Sequence, residues 1–348
     1  MMIVTALIGF GWWGQHIARR LKDHPDFDIR GVVEPAPELH TIIENLGLNV
    51  ALSYEAVLND PSVQAIILTS PNNLHDSQIL EAVAAGKHVF CEKPLSLNAH
   101  GARASIEACR NAGLVLGIGH ERRFEPAILA LRKMIEQQAL GKIMHTEMAF
   151  SHDKLKELTS DSWRTTKAFA PAAGMTQMGI HLTDLLIAFY GPVKTLHAFT
   201  ADRSLGWETG DVVTVQLQFE AGMTATLQAI LHTPHFIRTH VFGSDMWVEI
   251  RNSTHPDTPG GKASMERYRS IDDFEIELFD WTDSVIANLE AFGAAVRGEK
   301  PYPYSDFELL HNIEVLDAII LSAETGEAVH LTRYGIQQGC PKVGSSHP

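Results

Sequence analysis

Over the first 120 residues, short apolar runs alternate with amphipathic stretches of helical spacing. Residues 3–8 and 65–68 are predominantly apolar, which is typical of central parallel strands that are buried on both faces. Residues 99–112 carry small and apolar side chains at helical spacing. This alternation of strand and helix predicts an α/β nucleotide-binding domain with a doubly wound parallel sheet over residues 1–122.

The periodicity changes after residue 122. In 213–219 and 223–229 every second residue is apolar, and Gly222 lies in the turn between them, which predicts an antiparallel hairpin. Strands with one apolar face favour an α/β domain over residues 123–332, with a large, mostly antiparallel open sheet whose second face is covered by helices or by a partner subunit. We therefore expect a homodimer or homotetramer formed through this sheet.

Two segments lack such periodicity. Residues 252–264 are polar and rich in glycine and proline, so we expect a long loop that is mobile or lies at an interface. Residues 333–348 follow the last long helix, which begins near a Ser305 cap. They are expected to form a flexible tail.

Composition narrows the class of protein. The formal net charge of −14 argues against a nucleic-acid partner, because such proteins bind phosphates through clustered lysine and arginine. No run approaches the roughly 20 apolar residues of a membrane span, and the N-terminal residues lack a basic leader, so we expect a cytoplasmic protein with a small-molecule ligand. The three cysteines and the histidines of residues 232–240 lack the spacing of metal ligands, so no metal site is expected.

A glycine motif follows the first predicted strand and opens the first predicted helix. Its first glycine permits a tight turn, its second lets the backbone approach a pyrophosphate, and its third allows close packing of helix on strand. Glu34 ends the second predicted strand, where a carboxylate accepts hydrogen bonds from the adenosine ribose and repels a 2′-phosphate. The pattern predicts NAD as the cofactor, with NADP disfavoured by Glu34. The motif residues are Gly9, Phe10, Gly11, Trp12, Trp13 and Gly14.

Polar residues follow the next two predicted strands, at the edge of a parallel sheet where ligands bind. One of these strands delivers Lys93, which lies between Glu92 and Pro94. The proline stiffens the backbone beside the lysine, and the glutamate supplies a charge to balance its ammonium group. A cofactor-binding edge with a functional lysine is therefore predicted. The residues after the preceding strand that are expected to face the cofactor are Thr69, Ser70, Pro71, Asn72 and His75.

Within the second predicted domain, a glycine-assisted loop leads into a helix that ends before Pro192. Gln177 and His181 are four residues apart, a spacing that places both on one helix face. Asp184 follows one turn later and is expected to orient the His181 imidazole. The segment therefore predicts a second polar site.

Taken in order, these motifs resemble the Gfo/Idh/MocA family of oxidoreductases, of the glucose-fructose oxidoreductase and inositol dehydrogenase type. The resemblance extends to about residue 332. It implies an N-terminal Rossmann domain that binds NAD(P) and a C-terminal domain that carries the substrate pocket and the oligomer contact. The motifs that carry it are the glycine turn, Glu92-Lys93-Pro94, Arg123-Phe124-x-Pro126, Trp163-Arg164 and Gly179-x-His181-x-x-Asp184.

The resemblance also implies roles for individual residues. Lys93 matches the catalytic lysine of the family, and His181 matches its proton-transferring histidine. Glu92 is expected beside the cofactor, and Arg164 near its nicotinamide end. Besides Lys93 and His181, the residues expected at the substrate are Glu121, Arg122, Arg123, Trp163, Gln177 and His235.

One position departs from the family pattern. The family usually has an aspartate where this chain has Gln177, and an amide cannot take up a proton at neutral pH. The reaction class expected is oxidation of a hydroxyl group on a sugar, inositol, polyol or cyclic dihydrodiol. Two alternatives stay open, namely a reductase of a keto sugar or semialdehyde and a non-catalytic NAD-binding sensor.

Overall fold

The computed structural model describes residues 2–159, 161–332 and 335–336, and within these ranges it has two sheets and nine α-helices. The helices are α1 (Trp12–Leu21), α2 (His40–Asn45), α3 (Tyr54–Leu58), α4 (His75–Ala84), α5 (Ala99–Ala112), α6 (Pro126–Glu136), α7 (Ile180–Tyr190), α8 (Ser284–Val296) and α9 (Asp306–Thr325). The strands are β1 (Ile3–Ile8), β2 (Phe27–Val33), β3 (Ala65–Leu68), β4 (His88–Cys91), β5 (Leu116–Ile118), β6 (Ile143–Ser151), β7 (Val193–Ala201), β8 (Val212–Phe219), β9 (Thr224–Ile230), β10 (Phe236–Gly243), β11 (Trp247–Asn252), β12 (Lys262–Ser270), β13 (Asp273–Asp280), β14 (Val329–Thr332) and β15 (Gly335–Ile336).

The first sheet is parallel, in the order β2-β1-β3-β4-β5, and confirms the predicted doubly wound N-terminal domain. Every residue of β3 is buried, which explains why its sequence is apolar without alternation. The chain passes from β1 to β2 on one side and later to β3 on the other. Their carboxyl ends therefore form the crevice in which doubly wound proteins bind ligands.

The second sheet has the order β13-β12-β11-β10-β6-β9-β8-β7-β14-β15. β6 and β9 are parallel, and the other described pairs are antiparallel, so the prediction of a large, mostly antiparallel sheet is confirmed. The predicted hairpin is β8 with β9. In β8, buried residues alternate with partly or fully exposed ones, and α7 and α9 pack with the buried ones in one core.

Helix α8 comes from the second half of the chain but packs on the first sheet. Val285, Leu289 and Phe292 share a core cluster with β1 and α1, and the Asn288 amide donates a 2.7 Å hydrogen bond to the carbonyl of Ile118. The N-terminal core is thus completed by a helix from outside residues 1–122.

The predicted polar loop is shorter than expected and is held in place. Strands β11 and β12 extend into it and leave residues 253–261, where the Trp281 indole donates a 2.7 Å hydrogen bond to the carbonyl of Pro256. This loop lies over a cavity, a position that the prediction of a mobile or interface segment missed.

At the chain end, β15 pairs with β14, and the rest of the predicted tail lies outside the described residues. No helix in the described ranges is long and apolar enough to cross a membrane.

Candidate active site

A cavity of about 610 Å³ lies between the carboxyl edge of the first sheet and the second sheet. Its first wall comprises Trp12, Trp13, Thr69, Ser70, Asn72, His75, Glu92, Lys93 and Glu121. Its second wall comprises Phe150, His152, Lys154, Leu155, Leu158, Trp163, Arg164, Thr176, Gln177, Met178, His181, His255 and Asp257. The two walls bring together motifs that the sequence predicted on separate domains.

The glycine turn between β1 and α1 lies at one end of the first wall. Gly9 has φ +90°, and a Cβ on Gly14 would lie 2.3 Å from the carbonyl oxygen of Gly9, so neither position accommodates a side chain. A Cβ on Gly11 would meet nothing within 4 Å, which leaves open space in front of the N-terminus of α1. These features fit a dinucleotide pyrophosphate, which such a turn binds through backbone N–H groups.

Glu34 lies beside this turn, at the end of β2. Its carboxylate accepts hydrogen bonds from the backbone N–H groups of Phe10, at 2.6 Å, and Ala36, at 2.9 Å. The position fits the predicted contact with an adenosine ribose. The Phe10 side chain is fully buried in the N-terminal core, so only the backbone of this residue faces the turn.

The two tryptophans of the turn form an aromatic cluster at the cavity. The Trp13 ring stacks on His16 with centroids 4.7 Å apart, and Trp12, which is 62% exposed, lies 5.3 Å from Trp13. The buried Trp13 indole nitrogen lies at the cavity wall beside the Glu92 carboxyl, and this N–H group opposes the rise of the Glu92 pKa.

The residues after β3 organise the crevice and join the two halves of the chain. The Thr69 hydroxyl donates to the carbonyl of Gly9 at 2.7 Å, and the Asn72 amide donates to the carbonyl of Phe169 at 2.9 Å. Both ring nitrogens of His75 lie within hydrogen-bond distance of carbonyl oxygens, those of Pro94 at 2.7 Å and Ser70 at 3.0 Å. Burial lowers the pKa of His75 and the two carbonyl oxygens oppose that shift, and the contacts on both ring nitrogens fix the ring as a structural residue. Pro71, also predicted to face the cofactor, does not line the cavity.

Lys93 reaches across the cavity from the end of β4. Its ammonium donates a 2.8 Å hydrogen bond to the carbonyl of Gln177 in the second wall. Burial lowers the pKa of Lys93, and the nearby carboxylates of Glu92 and Glu121 oppose that shift. Burial also raises the pKa of Glu92 to about 7. The Lys93 ammonium therefore lies in a site that is partly shielded from water, with two carboxyl groups close enough to affect its pKa.

His181 occupies the first turn of α7, directly after a π-helical turn at Met175–Gly179. A Cβ on Gly179 would lie 2.4 Å from the Met175 sulfur, so glycine permits this close packing. Burial and, to a lesser degree, the positive charge of Lys93 hold the pKa of His181 well below its usual value. Its Nδ1 lies 3.5 Å from Nδ1 of His120 and 4.0 Å from a carboxylate oxygen of Glu121. A neutral imidazole thus faces the cavity near Lys93.

The prediction that Asp184 orients the His181 imidazole is wrong. Asp184 binds the Arg123 guanidinium instead, with nitrogen to oxygen distances of 2.6 and 2.8 Å, and Arg123 also binds Glu308 at 2.7 Å. Because these polar groups satisfy one another in the interior, Arg123 is a buried structural residue and does not line the substrate cavity, contrary to expectation.

Two further predicted substrate residues also lie outside the cavity lining. Arg122 is buried behind Phe150, over whose ring it lies at 4.7 Å, and it binds Glu125 at 2.7 Å. His235 makes a 3.1 Å hydrogen bond with the carbonyl of Asn252. Both side chains have partners within the protein, so the expectation of a direct substrate contact is corrected for each.

The remaining predicted residues line the second wall. The Arg164 guanidinium lies 4.2 Å over the Trp163 ring, and burial lowers its pKa. The Gln177 amide is already engaged, because its nitrogen donates to the carbonyl of Arg164 at 3.0 Å and its oxygen accepts from the hydroxyl of Thr176 at 3.0 Å. The Gln177 side chain therefore binds other residues of the second wall and helps to hold them in place.

Sequence reasoning missed a polar cluster in the second wall. Lys154 follows β6 and binds Asp257 at 3.0 Å, and Asp257 also pairs with His255. The His152 ring packs 5.2 Å from His255, and burial lowers the pKa of His152 to about 3. No spacing in the sequence links a strand end to a loop 100 residues later. The available signal was the polar His255-Pro256-Asp257 run inside the predicted loop.

Both parts of the chain match models of known protein families. Residues 3–120 match the oxidoreductase family with an NAD-binding Rossmann fold (GFO_IDH_MocA), and residues 128–249 match the GFO/IDH/MocA C-terminal domain. The chain is 31% identical over 293 residues to D-xylose 1-dehydrogenase (NADP(+)) 2 of Haloferax volcanii, an alignment that covers 83% of this chain and 87% of that protein.

One further relative is similar in sequence and one in structure. Scyllo-inositol 2-dehydrogenase (NAD(+)) of Bacillus subtilis is 26% identical over 284 residues, 79% of this chain and 80% of that protein. The crystal structure of aldose-aldose oxidoreductase from Caulobacter crescentus, complexed with glycerol, superposes with a TM-score of 0.83 at 23% identity, covering 95% of this chain and all of that one (100%). The chain therefore belongs to the Gfo/Idh/MocA family of NAD(P)-dependent oxidoreductases.

Proposed function

We propose that this protein oxidises a hydroxyl-bearing carbon of a small polyhydroxylated substrate, a sugar, inositol, polyol or cyclic dihydrodiol, with NAD as its cofactor. The observation that carries the proposal is the placement of Lys93 and His181 on opposite walls of one cavity, beside a glycine turn suited to a dinucleotide. The relatives named as xylose and inositol dehydrogenases support the substrate class. A non-catalytic sensor would have no need of both residues.

Lys93 is proposed to stabilise the reacting oxygen. When bound, the nicotinamide accepts the hydride in oxidation and supplies it in reduction. As the substrate hydroxyl loses its proton, its oxygen gains alkoxide character, and an ammonium group in a buried site stabilises that charge more strongly than it would in water. The 2.8 Å bond from Lys93 to the Gln177 carbonyl holds the ammonium in the cavity while leaving its other donors for a substrate.

His181 is proposed to move the proton. Because its lowered pKa keeps the ring neutral at pH 7, it can accept a proton from the hydroxyl in oxidation. In the opposite direction, the protonated ring would return that proton to a carbonyl oxygen. The same pair of residues therefore serves dehydrogenase and reductase directions.

The proposed preference for NAD rests on Glu34. Its carboxylate, already held by two backbone N–H groups, would accept hydrogen bonds from the ribose hydroxyls and repel a 2′-phosphate.

An assembly through the second sheet is proposed as well. It is supported by exposed apolar side chains along β13, namely Phe274, Ile276 and Leu278.

The test is a measurement of NADH absorbance with sugars, inositols, polyols and aromatic dihydrodiols, comparing the parent with Lys93→Met. We expect turnover by the parent and a loss of roughly 100- to 1,000-fold in kcat for the variant, with the dissociation constant of NAD nearly unchanged. Lys133→Met, at an exposed site on α6, is the matched control. A parent that binds NAD but turns over no member of the panel in either direction would contradict the proposal.

A further inference from the structure

The Glu121 carboxylate is a partly buried acid in the cavity to which the proposed chemistry gives no task. It belongs to a 3₁₀ turn, Glu121–Phe124, that follows β5, the strand next to the one that delivers Lys93. Its side chain is 14% exposed, and one oxygen lies 4.0 Å from Nδ1 of His181. Within the described residues, its carboxylate makes no hydrogen bond to another residue that would occupy it.

The other carboxylates near His181 are committed elsewhere. Asp184 is bound by Arg123, and Asp257 is bound by Lys154 and His255. The Glu92 carboxyl lies against Gly119, where a Cβ would come within 2.4 Å of it. Glu121 is therefore the acid of the cavity that faces the His181 imidazole.

A chain of hydrogen bonds sets the proton positions on the two histidines. The Asn312 amide nitrogen lies 3.1 Å from Nε2 of His120 and donates to it, which leaves the His120 proton on Nδ1. That proton faces Nδ1 of His181 at 3.5 Å. With His120 as its donor, His181 accepts at Nδ1 and carries its own proton on Nε2.

This tautomer suits only one direction of the reaction. With a proton on Nε2, which has no partner within the described residues, His181 can donate to a substrate oxygen but cannot accept from it. To accept at Nε2, the ring must hold its proton on Nδ1 and pass it to an acceptor there. His120 presents a proton at that position, so the remaining acceptor is the Glu121 carboxylate.

We propose that Glu121 is a positioning residue that selects the proton-accepting tautomer of His181 and takes up the proton released in oxidation. The inference rests on the proposed function. NAD, when bound, would accept the hydride released as the substrate C–H bond breaks. The hydroxyl proton passes to Nε2 of His181, and the Nδ1 proton passes to Glu121, which later releases it to water. Reduction runs through the same transfers in reverse.

The charges around Glu121 set the pH range in which it can act. Burial and the neighbouring Glu92 raise the pKa of Glu121 to about 8, while the cations Lys93 and Arg122 oppose the shift. His181 is the further titratable group that faces it. Glu121 is thus protonated below about pH 8 and ionised above it, so oxidation should accelerate as the pH rises through that value, whereas reduction should be favoured below it.

The kinetic test compares kcat/KM, which reports the ionisations of the free enzyme, and kcat against pH for the parent, Glu121→Gln and Glu121→Asp. We expect the parent to show a rise with a midpoint near 8, Glu121→Gln to lose about 100-fold in kcat together with that rise, and Glu121→Asp to recover at least a tenth of the parental kcat. KM for the substrate should change less than about threefold, because Glu121 acts through His181 and not through a contact with the substrate. Glu92→Gln changes the neighbouring buried acid, and it should keep the rise but move its midpoint to lower pH, because it removes a charge that raises the pKa of Glu121.

A second readout needs neither substrate nor cofactor. In protein labelled with ¹⁵N-histidine, the His181 nitrogen shifts of the parent should move from the Nε2–H toward the Nδ1–H form as Glu121 ionises, whereas Glu121→Gln should stay in the Nε2–H form. A Glu121→Gln variant that keeps both the parental pH profile and the parental tautomer change would overturn the inference. A parent without turnover would refute the proposed function and with it the uptake of a substrate proton, whereas the tautomer measurement would separately decide whether Glu121 selects the tautomer of His181.

Discussion

The two walls of the cavity are built in different ways. In the first wall, Lys93 and Glu121 follow adjacent parallel strands, and their places are set by backbone hydrogen bonds of the sheet. In the second wall, Lys154 and Asp257 lie 103 residues apart and meet through a side-chain ion pair. A wall defined by strand ends tolerates change in its side chains, whereas a wall defined by side-chain pairs changes shape when one partner is replaced.

This difference matches the division of labour between the walls. Doubly wound proteins that bind the same nucleotide cofactor need a similar backbone crevice to bind it. Substrates differ from one enzyme to the next, and side-chain pairs are the simplest feature to vary. Apart from Lys93, Glu121 and His181, to which the proposed reaction gives roles, we therefore expect substitutions in the first wall to affect the cofactor and substitutions in the second wall to affect the substrate.

The largest effect is expected where the two walls are joined. Arg123→Met would leave Asp184 buried without its partner, and we expect the free energy of unfolding to fall by about 3–5 kcal/mol, measured in urea. Arg132→Met, which breaks the exposed pair with Glu136, is the control and should change stability by at most about 0.5 kcal/mol. Equal losses for the two variants would show that the walls do not depend on this junction.

A smaller effect, confined to the second wall, is expected from Asp257→Asn. The change removes the charge that holds Lys154 and His255 together, so the loop 253–261 should lose its fixed position over the cavity. We expect KM for the substrate to rise about tenfold, equivalent to about 1.4 kcal/mol, with NAD affinity changed less than twofold. Asp153→Asn, at an exposed pair near the same strand end, should change neither value. A matching loss of NAD affinity would break the division between the walls.

The smallest effect is expected at the cofactor end. Glu34→Gln removes the charge that opposes a 2′-phosphate and leaves one acceptor oxygen for the backbone N–H groups of Phe10 and Ala36, so the ratio of NADP to NAD affinity should rise by up to about tenfold, which corresponds to about 1.4 kcal/mol. Titration with each cofactor measures it, and KM for the substrate should stay constant. Glu38→Gln, an exposed neighbour, is the control. An unchanged ratio would mean that Glu34 does not face the ribose.

The first wall was largely predictable from the sequence because its residues follow strands of recognisable periodicity. The glycine turn, Glu34 and Lys93 all lie near the edge that the alternation of strand and helix implied. His181 was predicted through its motif, but its partner was not. Helical spacing placed Asp184 one turn from His181, whereas the Arg123 guanidinium, brought close by tertiary packing, binds that carboxylate.

The polar cluster of the second wall could not be predicted in the same way, although Trp163, Arg164, Gln177 and His181 of that wall were. Its Lys154–Asp257 pair depends on where β6 ends relative to a loop between β11 and β12, and that relation is set by the order of strands in the sheet. Periodicity indicates that a strand exists but not which strand lies beside it. Similarly, the glycine and proline content of residues 253–261 predicted a loop without indicating what holds it.

Helix α8 has a consequence for any attempt to divide this protein. The chain leaves the N-terminal domain after β5 and returns about 165 residues later to place Phe292 against Phe90, with ring centroids 5.6 Å apart, and to pair Asp283 with Arg20 at 2.6 Å. A fragment cut after residue 122 would therefore lack part of its own interior and expose the apolar faces of β1 and α1 to water. A cofactor-binding module for transplantation should instead be designed as a fusion that carries residues 283–296 on a short linker, which keeps the Asp283 contact with Arg20 and the cap of the helix.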